Sequence, residues 1–431
     1  MFKDTTAKML DMIEQSPTCY HVIDTLKKEL EDNGFTRLEE SQEWKIKNGG
    51  KYYVTRNGSS IISFQIPKKT FKGFYMIASH SDSPSFKIKE SPELESAGLY
   101  IRLNVEKYGG MLCAPWFDRP LSVAGRVMVK DGANGIKMQL VQIDRDLLML
   151  PSLAIHMNRE ANDGMKYNAQ DDMLPLFGDM ADKGKFMKAV AEAAGVKEKD
   201  ILSTDLFLYN RVKPSIWGAE NQYISSARLD DQECVYTTLF GFLKAKATDN
   251  VLLHCVFDNE EVGSGTKQGA ASTFLKDTLE RINESLGRTR QQYHTALANS
   301  FMVSADNAHA VHPAYGSKAD PVNRPQMNAG IVIKYNANQK YTTDAVSGAM
   351  CKMVCEKAKV PYQTFTNRSD MAGGSTLGNI SNTQVALNTV DIGLAQLAMH
   401  SPYETAGYKD AEYMAEFAYA FYTSKVEIAG V

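Results

Sequence analysis

Cysteine, long apolar runs and unbalanced charge are all scarce in this chain, and each scarcity removes a class of function. The six cysteines, at positions 19, 113, 234, 255, 351 and 355, are scattered without a CxxC pair. This excludes a disulfide scaffold and a structural zinc ribbon. Cys351 and Cys355 stand one helical turn apart in SGAMCKMVCEKA and read as core packing on a helix face. No apolar run approaches membrane-spanning length, and the opening MFKDTTAKMLDMIEQSPTCYHVI is interrupted by polar residues throughout, so neither a spanning helix nor a signal-peptide core is expected. A cytoplasmic protein follows from that reading. Basic and acidic residues nearly cancel, 48 against 51 with a net charge of -3, which argues against nucleic acid or an anionic membrane as partner. The small-residue loop AGGST, Ala372 to Thr376, lacks the lysine of a phosphate-binding loop.

What remains is ordinary globular composition over 431 residues, enough for two or three domains or for one large α/β unit with an insertion. Its most informative stretch is VLLHCVFDNEEVGSGT, Val251 to Thr266. The β-branched and aromatic run reads as a buried strand, and Asp258, Glu260 and Glu261 fall in the loop at its carboxyl end, the edge where open α/β sheets build sites. Neighbouring glutamates buried without a cation are too costly to keep ionised. Water, the start of a helix or a metal must satisfy them.

Other strand ends supply similar chemistry. Thr5 to Asn33 reads as two helices broken at Ser16-Pro17, and Tyr52 to Ile66 as a hairpin turning at Asn57-Gly58. The strand Phe74 to Ala78 runs into SHSDSPSFKIK, which carries His80 and Asp82; a carboxylate two residues on is placed to fix the tautomer of a ligating imidazole. From about Glu95 to Gln222 the texture is β-rich, with runs at 100–105, 121–129 and 136–143 and a helical period only at 183–194, so this reads as an inserted module. His156 is its only histidine, structural by default.

After the module, Asp230 and Asp231 open a helix in RLDDQECVYTTLFGF, where a capping role and a metal role are equally compatible. A polar helical stretch, 272–295, leads to the strand Phe301 to Ala305, which ends in Asp306. His309 and His312 follow in DNAHAVHP, but Pro313 interrupts any helix that would align them, so they read as loop residues or supports for ligands. Further strands are expected at 330–335, 361–366 and 385–392, and helices at 344–359 and 411–428, with His400 in GLAQLAMHS. Mixed imidazole and carboxylate donors suit zinc, with manganese or cobalt as alternatives. Two ions roughly 3.5 to 4 Å apart need a bridging carboxylate and about two more ligands each; the inventory meets that with one carboxylate over, which suits a general base.

The ordered set HSDSP, RLDD, DNEEVGS, SADNAHAVHP and QLAMHS resembles the aspartyl aminopeptidase family of dinuclear zinc metallopeptidases, over most of the chain. The resemblance implies a mixed-sheet α/β/α catalytic domain in two segments, 1–94 and 223–431, interrupted by an inserted β-rich dimerisation domain at 95–222, and assembly into a tetrahedral dodecamer. It implies that Asp230 bridges two zinc ions, that His80 and Asp306 complete one shell and Glu261 and His400 the other, and that Glu260 is the general base. Asp82 matches the acid that supports the first histidine, and His156 matches a histidine that reaches a neighbouring subunit's site and stabilises the developing oxyanion. IKYNANQKY resembles the stretch whose lysine and tyrosine face substrate, giving Lys334 and Tyr341 a part in selecting an amino-terminal Asp or Glu. Asn379 stands where the family pattern has proline, and HSPYETAG departs from the usual sequence after the histidine. The implied activity is hydrolysis of the amino-terminal residue of peptides. Its rivals are another dinuclear zinc hydrolase, such as a deacylase, and a metal-stabilised peptide-binding cage without catalysis.

Overall fold

Apolar side chains alternate along the central strands with the two-residue period of a sheet covered on both faces. Tyr75 and Ile77 pack toward one core, and Phe74, Met76 and Ala78 toward the other. The structure, a computed structural model, describes residues 2–425, so the last three residues of the helix expected at 411–428 lie outside the described residues. Its main sheet has nine strands, in the order Thr36–Leu38, Lys51–Arg56, Ser60–Gln65, Val251–Phe257, Phe74–His80, Phe301–Ala305, Asn388–Gly393, Ile331–Lys334 and Tyr362–Phe365. One face is covered by helices Thr5–Glu14, Cys19–Asp32, Leu229–Lys244, Ala345–Ala358 and Asp410–Thr423, whose apolar stripes share a core with Tyr75 and Ile77. Helices Phe274–Ser285 and Arg290–Ala298 cover the other. The sheet is mixed and the architecture α/β/α.

Close packing of two helices depends on one glycine. A Cβ at Gly241 would lie 2.6 Å from Ala418 Cβ, so only a hydrogen there lets helix Leu229–Lys244 press against Asp410–Thr423. Cys351 and Cys355 are both buried in the helix Ala345–Ala358 on the same side, where the spacing put them.

The four strands at the centre, Val251–Phe257, Phe74–His80, Phe301–Ala305 and Asn388–Gly393, run parallel to one another. Their register sets Phe257 opposite His80 and Ala78 opposite Ser304. The carboxyl ends therefore lie side by side, and the segments leaving them carry the acids and the first histidine.

A second sheet of six antiparallel strands takes its members from between Ser85 and Asn210, with Ser85–Ser96 as the first in the chain. It has its own core, in which Phe86, Leu103, Trp116, Val127 and Leu206 are buried with Phe186 and Val190 of the helix Phe186–Ala194. A third, small sheet joins Tyr223–Ser226, Glu404–Gly407, Ala395–Leu397 and two short edge strands. Among the described residues no helix is long and apolar enough to cross a membrane.

Candidate metal centre

His80 is the last residue of its strand, and its ring is fixed from behind. Nδ1 lies 3.0 Å from the backbone carbonyl of Asp82, so it carries the proton and Nε2 faces forward bare. That nitrogen is 3.4 Å from Asp230 Oδ1 and 3.9 Å from Asp306 Oδ1. On the far side of Asp230, Oδ2 is 3.5 Å from His400 Nε2, which is itself 3.3 Å from Glu261 Oε2. Donor atoms of His80, Asp230, Asp231 and Asp306 all fall within 4.8 Å of one another, as do those of Asp230, Glu261 and His400. Asp230 belongs to both groups and turns one oxygen to each.

The residues fit two cations for a reason internal to the site. Asp230 Oδ1, Asp231 Oδ1 and Glu261 Oε1 are buried with no hydrogen-bond partner, an arrangement that is expensive unless a cation occupies the free lone pairs. Burial, with the neighbouring carboxylates adding to it, pushes Asp231 and Glu261 well above the carboxylate range, raises Asp306, and lifts Glu260 to about 8. Burial also acts to raise Asp230, but His400 and His80 outweigh it and hold that carboxyl low. Against its burial, His400 is driven up to about 8 by Asp230, with Glu404 and the Gly110 carbonyl adding to it. With protein groups alone, the bowl neutralises itself by taking up protons; two divalent ions do the same without them. The imidazole and carboxylate donors suit zinc and are shared by manganese and cobalt.

Supporting groups surround these donors. The Asp82 carboxylate accepts the amides of Glu260 at 3.1 Å and Glu261 at 3.2 Å, and the Tyr108 hydroxyl at 2.7 Å. It thus caps the short turn Glu260–Val262 besides standing 3.4 Å from His80 Nδ1. Lys334 is buried, donates to the carbonyl of Asn307 at 3.1 Å, lies 3.5 Å from Asp306 Oδ2 and sits over the Tyr341 ring at 5.3 Å. Burial alone would lower this lysine, and Asp306 more than restores its charge. His309 opens toward Phe365 at 6.1 Å between ring centroids, and His312 Nδ1 accepts the Ala314 amide, so neither belongs to the donor groups. His156 is exposed in the segment 151–175, and among the described residues no hydrogen bond or ion pair joins it to the centre.

Three participants lie outside the set of site residues that the resemblance implies. Asp231 is one of the clustered donors and also accepts the His80 amide at 3.1 Å. Neither Asp230 nor Asp231 has helical dihedrals, and the position before the helix makes no side-chain cap, so the capping role is not the one the pair plays. Glu404 accepts the Asp230 amide at 2.9 Å and the His400 amide at 2.7 Å. Tyr108 reaches Asp82 from the six-stranded sheet. Only Asp231, beside a ligand in sequence, left a signal.

The model of the Aminopeptidase I zinc metalloprotease family (M18) matches residues 12–422. The chain belongs to the M18 family. This M18 chain is 47% identical over 423 residues to a probable M18 family aminopeptidase 2 of Clostridium acetobutylicum, covering 96% of this chain and 98% of the relative. To a protein of that same description from Pseudomonas aeruginosa it is 38% identical over 425 residues, covering 96% and 97%. Among solved structures, a chain of the cryo-EM Ape4 and Nbr1 complex superposes with a TM-score of 0.94 at 36% identity, over 97% of this chain and 85% of that one. The S. cerevisiae mApe1 dodecamer gives 0.86 at 28%, over 97% and 96%. Family and donor groups together make the M18 protein an aminopeptidase that works through a dinuclear divalent-metal site.

Proposed function

We propose that this aminopeptidase removes amino-terminal Asp or Glu from peptides, with Glu260 as the general base. The observation that carries the base assignment is the division of labour in one turn: Glu261 belongs to a donor group and Glu260, its neighbour, does not. When bound, the two ions supply Lewis acidity that polarises the scissile carbonyl and makes water a nucleophile at neutral pH. His80, Asp306 and Asp231 would hold one ion, Glu261 and His400 the other, and Asp230, which belongs to both donor groups, would serve both. The amide of Glu260 is tied to Asp82, which fixes the backbone beside the donor groups, and its carboxylate takes a proton from water and delivers it to the leaving amine.

Acid selection rests on Lys334. Its ammonium has three donors; Asn307 and Asp306 engage two, and the third is free for a side-chain carboxylate, with Tyr341 stacking beneath the charge. His156 serves a neighbouring subunit, where it stabilises the developing oxyanion. In support, the residues around it, Leu153, Ile155 and Met157, are 57%, 48% and 76% exposed, an apolar surface that suits burial against another copy. The six-stranded module, whose first strand is Ser85–Ser96, is then the dimerisation domain, inserted where the sequence placed 95–222 but beginning at Ser85, and the segments on either side of it, 1–84 and 223–431, form the catalytic domain. A tetrahedral dodecamer is the assembly we assign, by likeness to the mApe1 dodecamer.

Hydrolysis of amino-terminal residue panels tests the reading. Asp and Glu should be released fastest, an acetylated amino terminus should abolish turnover, and light scattering should give twelve subunits. Equal rates for neutral residues would remove the role of Lys334, and turnover of acetylated substrates would point to a deacylase.

A further inference from the structure

We propose that residues Tyr108 to Leu112, delivered by the inserted six-stranded sheet, are a positioning strap for the Asp230, Glu261 and His400 half of the metal centre. Tyr108 is the last residue of the strand Tyr100–Tyr108, and its ring meets Phe207 of the strand Ile201–Asn210 edge-on at 5.6 Å, so the inserted sheet sets where it stands. Its hydroxyl donates to Asp82 Oδ2 at 2.7 Å and accepts from Asn259 Nδ2 at 2.8 Å. Asp82 in turn grips the amides of Glu260 and Glu261. Gly109, with φ of +77°, lies directly against the ligand turn: a Cβ there would come 3.2 Å from Glu261 Cβ and 3.4 Å from its carbonyl oxygen.

The next residues hold the other ligand. The Gly110 carbonyl accepts His400 Nδ1, which leaves Nε2 bare toward Asp230 and Glu261. Leu112 N–H donates to the His400 carbonyl at 3.1 Å. Within five consecutive residues of the insertion, Gly109 thus lies against Glu261, and Gly110 and Leu112 hold His400. Among the described residues no hydrogen bond or ion pair joins them to Asp231 or Asp306, whose supports all come from the nine-stranded sheet and its loops. Asp82 spans the two halves, its Oδ2 between Tyr108 and the Glu261 amide and its Oδ1 3.4 Å from His80 Nδ1; otherwise the halves are held by different parts of the molecule. The inserted sheet controls one of them.

Metal content measured on the full chain during chelator titration tests this, together with the thermal midpoint of the metal-free protein. Tyr108→Phe removes one hydroxyl, and Gly109→Ala crowds Glu261; Tyr100→Phe, which removes a hydroxyl at the exposed far end of the same strand, is the control. One of the two ions should leave Tyr108→Phe and Gly109→Ala at about 10- to 100-fold lower chelator concentration, the other ion should leave as in the wild type, and Tyr100→Phe should be unchanged. Equal weakening of both ions, or release as in the wild type, overturns the strap. Should Gly109→Ala fail to fold, the isosteric Tyr108→Phe decides alone. The inference rests on the two-ion ligand assignment, which the wild type tests separately: a single ion per wild-type chain sinks that assignment, and two ions leaving together from every variant sink only the strap.

Discussion

Lys334 Nζ lies 3.5 Å from Asp306 Oδ2 in a setting that leaves the lysine only 2% exposed. One ammonium therefore neutralises a carboxylate of the donor group, and on the proposed function it also meets the substrate's acidic side chain. Lys334→Ala should lower kcat/KM for amino-terminal Asp relative to a neutral residue by about 10- to 100-fold, the worth of one charge-assisted hydrogen bond. Paired kinetics on the two substrates measure it. A uniform loss on both would assign Lys334 to Asp306 alone.

Glu260→Gln keeps the size and the backbone amide held by Asp82 but cannot take a proton. Turnover should fall about 10²- to 10⁴-fold, with two ions per chain retained by elemental analysis. Loss of an ion in this variant would make Glu260 a ligand.

Glu404 divides its two oxygens between the amides of Asp230 and His400. Glutamine has one acceptor for two donors, so Glu404→Gln leaves a buried N–H facing an NH2 group. We expect a stability loss of about 1–3 kcal/mol and weaker retention of both ions, because Asp230 serves both. Denaturant unfolding and chelator titration read the two effects, and an unchanged chelator curve would reduce Glu404 to a purely structural part.

Chelation should lower the thermal midpoint, since the clustered acids lose their counter-charge. With free metal at about one hundred times its Kd, each ion stabilises by about 3 kcal/mol. Adding zinc, manganese or cobalt back should restore the midpoint in the order of their affinities; a midpoint indifferent to metal would contradict a site built around cations.

The pH dependence of folding has one contributor far from the metals. His254 lies in the core with Nε2 3.1 Å from both the Val235 carbonyl and Thr238 Oγ1, and Nδ1 unpartnered. Its ring stacks on Phe242, which also packs on Tyr422, and none of these neighbours carries a charge. Burial lowers its pKa to about 4, so below the unfolded value the unfolded chain binds a proton that the folded one refuses. Stability present at neutral pH is lost as pH falls from about 6.5 toward 4, by about 3 kcal/mol at the lower end. His254→Gln should flatten the urea midpoint in that window; an unchanged slope would place the acid sensitivity elsewhere.

Much of the scaffold was legible in the sequence because it is local. Short apolar runs marked Val251–Phe257 and Phe301–Ala305, Asn57-Gly58 marked its hairpin, and acids just beyond strand ends marked members of the donor groups. The single helical stretch expected at 272–295 is instead two helices, Phe274–Ser285 and Arg290–Ala298, parted where Gly287 takes a φ of +68°. SFKIK, read as loop after His80, begins a strand because its pairing partners, Tyr108 and Lys107 among them, come later in the chain. Tyr108 and Glu404 were invisible for a related reason. Each binds groups distant in sequence, and no spacing near either residue announces a contact made by the folded chain.

The parallel pairing at the centre has a consequence for how the molecule is made. Ser81 and Phe257 meet across 176 residues of chain, and the whole six-stranded module lies between them. During synthesis the strand Phe74–His80 leaves the ribosome long before either of its sheet neighbours, with both edges bare. Until the module has collapsed and brought the later strands back, that segment is exposed to pairing with other nascent chains. Production is therefore most vulnerable to aggregation midway through translation.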